Sequence, residues 1–296
     1  MNSKILVSGV SGPIGTALLP SLRASGWSVV RLVRGQAAGK GQISWNPEEP
    51  IAPEEVSGFD AVVHLAGESI VGRWTTAKKA KIRNSRINGT MNLAQALARA
   101  EDKPKVFVCG SAIGYYGNRG DEMLREESPA GTGFLAEVCQ EWEEATTAAV
   151  QSDIRTAHLR TGVVLSPKGG ALGAMLMPFK MGLGGRVGDG RQWMSWINVL
   201  DMVGAINHIL KNDLLQGPVN MVAPKPVTNA EFTKTLASVL SRPALLPMPA
   251  FAVKTVFGEM GEELLLSSQK VEPGKLISSG YPFRYHELRA SLEALL

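Results

Sequence analysis

Two cysteines in 296 residues, Cys109 and Cys139, leave no material for a disulfide framework. Cys109 lies in the apolar run VFVCGS and Cys139 in a helical pattern, so both are expected as buried thiols in a reducing compartment. No apolar run approaches the roughly 18 residues of a membrane span. Glycine interrupts the N-terminus too early for a secretory segment. Charge of one sign is also scarce: 31 Lys and Arg stand against 27 Asp and Glu, a net of +4 without a long basic run. That balance gives no reason to expect nucleic acid as a partner. The four histidines form no metal-spaced cluster with cysteines or carboxylates, so no metal is expected. Internal repeats and low-complexity linkers are absent as well. The expectation is a cytoplasmic globular protein, without membrane or nucleic-acid partners, whose ligand is a small molecule.

What the chain does contain is alternation. KILVSG (4–9) is an apolar, β-branched run suited to a buried parallel strand, and the helical spacing of PIGTALLPSLRASG follows at once. Pro20 inside that helix predicts a kink. Further strands are expected at 27–34, 59–67, 105–112 and 155–166, with helices at 75–100 and 133–150 between them. Short connections between βα units predict an α/β fold, a Rossmann-type doubly wound parallel sheet with a small C-terminal lobe. The chain divides into a core (1–166), a glycine-rich edge (167–198), a returning helix and strand (199–223) and the lobe (224–296). Asp201 reads as the N-cap of the returning helix.

The stretch ILVSGVSGPIG ends a strand in glycines at 9, 12 and 15, with a helix opening on the last. Gly9 permits a sharp turn, Gly12 allows a pyrophosphate to approach the backbone, and Gly15 lets helix and strand pack closely. Pro13 and Ile14 then begin a helix whose free N–H groups face the anion. A carboxylate at the end of the second strand would bind the ribose 2′-hydroxyl of NAD. This chain has RLVRG there, and Arg34 can pair bidentately with a 2′-phosphate, favouring NADP(H).

SGVSGPIG, VVHLAGESI, SRINGT, SAIGYYG and WINVLDM resemble an atypical extended short-chain dehydrogenase/reductase. GRWTTAKKAKIRNSRINGT, FLAEVCQEWE, MLMPFKMGLGGRVGDGRQWMSWI and GEELLLSSQKVEPGKLISSGYPF are similar to one subfamily, whose members carry epimerase-family, sugar-nucleotide-epimerase and cell-division-inhibitor labels. The resemblance spans essentially the whole chain. It implies an NADP-binding core, with Leu65 and Ala66 where relatives pass the adenosine ribose and Gly67 beside them among the cofactor-binding residues. It also implies that Ser111 polarises a substrate carbonyl, and that any homodimer pairs through the fourth and fifth core helices.

The parent family uses a tyrosine with a lysine four residues later to move a proton. Four positions after Tyr115, Tyr116, Tyr281 and Tyr285 stand Arg119, Gly120, Tyr285 and Arg289, so no such pair exists. Phe134 and Val138 occupy the corresponding places. Tyr115 or Tyr116 is the favoured substitute donor. Glu137 and the lysines at 78, 79 and 81 are the others, although those lysines also read as a solvated basic face. Arg186, Arg191 and Trp193, in the glycine-rich stretch, are expected at the substrate edge. Three readings remain. The chain is an NADP(H)-dependent oxidoreductase acting on a small carbonyl or alcohol, a sugar-nucleotide epimerase, or a non-enzymatic NADP-sensing regulator.

Overall fold

The computed structural model describes residues 3–37, 39 and 41–296. Seven strands form the central sheet: β1 (Lys4–Ser8), β2 (Ser28–Arg34), β3 (Gln42–Trp45), β4 (Ala61–His64), β5 (Val106–Ala112), β6 (Arg155–Thr161) and β7 (Gly217–Met221). All pairings are parallel, in the order β7-β6-β5-β4-β1-β2-β3. The winding therefore reverses between β1 and β4, where open α/β sheets place a ligand crevice. The helices are α1 (Pro13–Ala24), α2 (Thr76–Arg99), α3 (Phe134–Glu144), α4 (Thr147–Val150), α5 (Gly170–Lys180), α6 (Val199–Lys211), α7 (Asn229–Val239), α8 (Ala250–Phe257), α9 (Gly274–Ser278) and α10 (Leu288–Leu295).

Alternation along each strand explains the two layers of helices. Ile5, Val7, Ala61, Val63, Val106 and Val108 pack with Leu18 and Leu22 of α1 and Met202 and Ile206 of α6. The intervening Leu6, Val62, Phe107 and Cys109 pack with Leu93 and Leu97 of α2 and Trp142 of α3. Because successive side chains point to opposite faces, a strand covered on both sides reads as a continuous apolar run. Both cysteines are buried, and burial pushes each thiol up to about 12.

Several local expectations differ. The strand expected at 155–166 breaks at Gly162, where a Cβ would lie 2.4 Å from the Ser195 carbonyl oxygen. Its second part, Val163–Leu165, leaves the sheet and pairs with Trp196–Asn198. The polar stretch before residue 58 hides the edge strand β3. The helix expected at 133–150 ends at Glu144, with a short turn of helix after it. Pro20 lies inside α1 as expected, on its exposed side.

Asn198, not Asp201, caps α6, accepting from the Leu200 amide at 2.8 Å. Asp201 lies buried inside the first turn. It accepts from the amides of Arg284 (2.8 Å) and Tyr285 (3.0 Å), and so pins the approach to α10.

His64 ends β4 wholly buried, its Nδ1 2.7 Å from Ser8 Oγ and its Nε2 without a partner. Burial holds its pKa down at about 4. Below about pH 6.5 the unfolded chain binds a proton here that the folded chain does not. Stability is therefore complete above that pH and falls towards pH 4, by about 3 kcal/mol in the limit. Urea unfolding at pH 7.5 and 4.5 should show the wild type losing more stability over that interval than His64→Leu.

Candidate functional site

At the end of β1, Gly9 takes φ +70° with its α-hydrogens against the end of β4; a Cβ there would lie 2.4 Å from the Leu65 carbonyl carbon. Gly15 is equally constrained, since its Cβ would meet the Gly9 oxygen at 2.4 Å. These two glycines bring β1, α1 and the Leu65–Ala66 backbone into direct apposition. Gly12 differs: the nearest atom to its Cβ position is 3.6 Å away, so its outer side is open. It precedes Pro13 at the start of α1, where Pro is preorganised for the first turn. The loop thus presents open backbone at the positive end of a 12-residue helix.

Arg34 ends β2, exposed, beside a groove of about 520 Å³ that Ser44, Trp45, Asn46, Pro47 and Glu55 also line. Across the strand ends, Glu68 follows the exposed Gly67, and Lys78 Nζ lies 2.6 Å from its carboxylate. The Lys78 hydrogen bond, helped by the charges of Lys78, Arg34 and Lys81, holds the Glu68 carboxyl below the usual range. Arg34, the glycine loop and Leu65–Gly67 are therefore gathered along the carboxyl ends of β2, β1 and β4. Charges of both signs line these ends, with Arg34 beside Glu49 and Glu55 and Lys78 paired to Glu68.

The end of β5 is organised differently. Ser111 donates to Glu143 Oε1 at 2.7 Å, and that carboxylate is held by Arg160 through Nε (2.8 Å) and Nη2 (2.9 Å). Arg160 Nη1 also donates to the Tyr116 hydroxyl at 3.0 Å, which in turn donates to Asn220 Oδ1 at 2.7 Å. Tyr116 is completely buried, and burial pushes its phenol up to about 12 against the pull of Arg160. Tyr115 is half-buried with its ring 3.5 Å from the Arg160 guanidinium, and its hydroxyl has no partner among the described residues. The hydroxyls of Ser111 and Tyr116 are thus engaged inside the protein, whereas that of Tyr115 is unengaged.

On α3, Phe134 and Val138 are buried with Trp74, Ile82 and Met260. The start of this helix is capped from the C-terminal lobe, where Glu263 accepts from the amides of Phe134 and Leu135, both at 2.8 Å. Glu263 also lines a cavity of about 200 Å³ with Gly114, Gly117, Thr132, Leu135 and Gln269. Arg186 and Arg191 are exposed and do not line that cavity, and Arg191 faces Asp189 at 4.0 Å. Trp193 is half-buried and donates from its indole nitrogen to Asp121 at 2.7 Å. Its backbone reaches the cavity's edge through Gln269, whose amide donates to the Trp193 carbonyl. Among the described residues, no three His, Cys, Asp or Glu side chains are grouped to hold a metal, and no helix is long and apolar enough to cross a membrane.

The model of the NAD dependent epimerase/dehydratase family matches residues 5–221. The chain belongs to this family. A model described as a domain of unknown function matches residues 248–295. An epimerase family protein of Mycobacterium bovis is 43% identical over 293 residues, covering 98% of this chain and 97% of its own. The human epimerase family protein SDR39U1 is 37% identical over 297 residues, covering 99% of both. The crystal structure of its isoform 2 with NADPH superimposes with TM-score 0.91 at 36% identity, covering 99% of this chain and 98% of that one.

Within this epimerase/dehydratase fold, sequence reading left two groups unassigned. The Glu143–Arg160 pair joins α3 to β6, and no local pattern links those segments. Arg86 did carry a signal: it falls on the stripe Ile82, Arg86, Thr90, Leu93, Leu97, whose other members are buried. Glu143→Gln, which leaves Arg160 as an under-compensated buried charge, should cost about 3 kcal/mol. Ser111→Ala should cost about 1–2 kcal/mol through the lost charge-assisted bond. Urea midpoints measure both. Wild-type stability in Ser111→Ala would show that the hydroxyl is free for a ligand.

Proposed function

We propose that the protein is an NADP(H)-dependent oxidoreductase acting on a small carbonyl or alcohol. The observation that carries this reading is the pairing of the open Gly12 backbone with Arg34 on the adjacent strand end. The residues present fit the dinucleotide. Gly9 and Gly15 have no room for a Cβ, Gly12 leaves its outer face clear, and the α1 N-terminus favours a pyrophosphate. Arg34, exposed at the end of β2, is suited to pair with a 2′-phosphate, and a carboxylate there would repel one. The NADPH in the human relative's crystal structure supports the same cofactor. Bound there, NADP(H) would supply hydride exchange.

For the proton, Tyr115 is the phenol left unengaged beside the end of β5. Tyr116 instead serves to hold Arg160, and Ser111 serves to hold Glu143. A second reading, an NADP-binding regulator without catalysis, draws on the apolar Phe134 and Val138 of α3. A sugar-nucleotide epimerase is a third reading, in keeping with the family; its oxidation step would also need a base for the hydroxyl proton, which α3 does not provide.

Thermal melting with NADPH, NADP, NADH or no addition tests the cofactor assignment. A ligand at 100 times its dissociation constant adds about 2.7 kcal/mol, a rise of several degrees. NADP(H) should stabilise the protein more than NADH does, and Arg34→Ala should erase the difference. If nucleotide-free protein shifts with no nicotinamide, the oxidoreductase reading is wrong. If NADPH binds but no carbonyl in a broad screen consumes it, the regulator reading gains.

A further inference from the structure

Arg86 projects from the middle of α2 towards the ends of β4 and β5 and has no carboxylate partner. Its Nη1 donates to two carbonyl oxygens, Glu68 at 3.0 Å and Ile82 at 3.1 Å. The Glu68 carboxylate is itself taken by Lys78. The guanidinium stacks 5.0 Å from the Trp142 ring, which is fixed by its hydrogen bond to Thr90 at 2.9 Å and by contact with β5 at Gly110. A Cβ on Gly67 would lie 3.3 Å from Arg86 Cζ, so the group sits directly against the backbone leaving β4. Desolvation lowers its pKa, the expected cost of setting a cation back from water, and the nearby Glu68 charge offsets only part of it.

Nε and Nη2 of Arg86 have no protein partner among the described residues. They are also not sealed in the interior, since the buried polar atoms lacking partners are His64 Nε2 and His158 Nδ1. Two donors of an oriented guanidinium therefore keep some access to solvent and no protein partner, with Nη2 against Gly67. Sheet order sets which part of a dinucleotide would lie there. Arg34 marks the adenosine end at β2, and the glycine loop marks the pyrophosphate at β1. The β4–β5 end comes next, on the nicotinamide side.

We propose that Arg86 is a cofactor-binding residue that donates from Nε and Nη2 to oxygen atoms of the nicotinamide-ribose half of NADP(H). This deepens the proposed function and rests on it. The cation that α3 lacks at Val138 is supplied from α2 instead. Because Trp142 and two carbonyls hold the guanidinium in place, little side-chain freedom is lost when the ligand arrives.

The test compares two probes, NADPH and adenosine 2′,5′-bisphosphate, which lacks the nicotinamide half. Dissociation constants are measured by calorimetry for wild type, Arg34→Ala, Arg86→Met and Arg86→Lys, with circular dichroism and melting to verify folding. Arg86→Met should weaken NADPH about tenfold or more and leave adenosine 2′,5′-bisphosphate within twofold. Arg86→Lys should recover part of the loss, and should serve alone if the Met variant does not fold. Arg34→Ala should weaken both probes.

Unchanged NADPH affinity in a folded Arg86 variant overturns the proposal, as does an equal loss of both probes, which would mean a general collapse of the crevice. Wild-type protein that binds the bisphosphate but not NADPH overturns it too, while leaving the adenosine site standing. Binding of neither probe removes the proposed function and this inference together.

Discussion

Arg160 and Glu143 share two parallel hydrogen bonds, 2.8 and 2.9 Å long, where water is nearly excluded. Burying both charges is costly, and their attraction offsets the cost only when the remaining donors and acceptors are used. Here they are. Arg160 Nη1 reaches the Tyr116 hydroxyl and the Glu126 carbonyl, both at 3.0 Å, and Glu143 accepts the Ser111 hydroxyl besides. Burial opposes the charge on Arg160, and the bonds and charge of Glu143 more than restore it. Every member comes from a different part of the chain, so the network fixes how β5, α3, β6 and the loop after β5 meet. It continues through Asn220 of β7 to Glu126, whose Oε1 accepts from the amides of Asn220 and Lys275, both at 3.1 Å. The C-terminal lobe is thereby registered on the same strand ends that form the crevice.

Sequence reading succeeded where no such long-range network is needed. The βα series, both layers of helices and the glycine loop were legible because they depend on local patterns. Buried parallel strands are apolar throughout, and the glycines at 9 and 15 are required by contacts within one βαβ unit and its neighbour. Arg34 was legible for the same reason, as a strand-end residue at a fixed distance from the loop.

The hydrogen-bond partners of Ser111 and Tyr116 were not legible. A loop that borders a crevice contains residues pointing both ways, and the direction is set by partners such as Glu143 and Asn220, which are distant in sequence. The glycines around Arg186 and Arg191 have a structural use that was equally hidden. Glycine-rich sequence indicates close approach, and the close approach found here is within the protein: a Cβ on Gly185 would lie 1.8 Å from the Leu246 carbonyl oxygen. The glycines of that stretch let α5 and the segment before α8 pack together, while the arginines stay in solvent.

The first turns of α3 show how packing fills the two places where the resemblance led one to look for a tyrosine and a lysine. A tyrosine and a lysine at 134 and 138 would need water or a ligand for their polar ends. Phe134 and Val138 instead fill an apolar cluster with Trp74 and Ile82 from one side and Met260 from the lobe. Lys79 adds its ammonium 4.4 Å from the Phe134 ring while bonded to Glu259 at 2.7 Å. Glu263, close to Met260 in sequence, takes the two amides at the helix start. The same turns that could have handled a proton now anchor the lobe, and those two uses compete for the same atoms. With α3 committed to packing, a cation for the far half of the crevice has to come from another element. Arg86 on α2, with no carboxylate bonded to it among the described residues, is the cation proposed for that place.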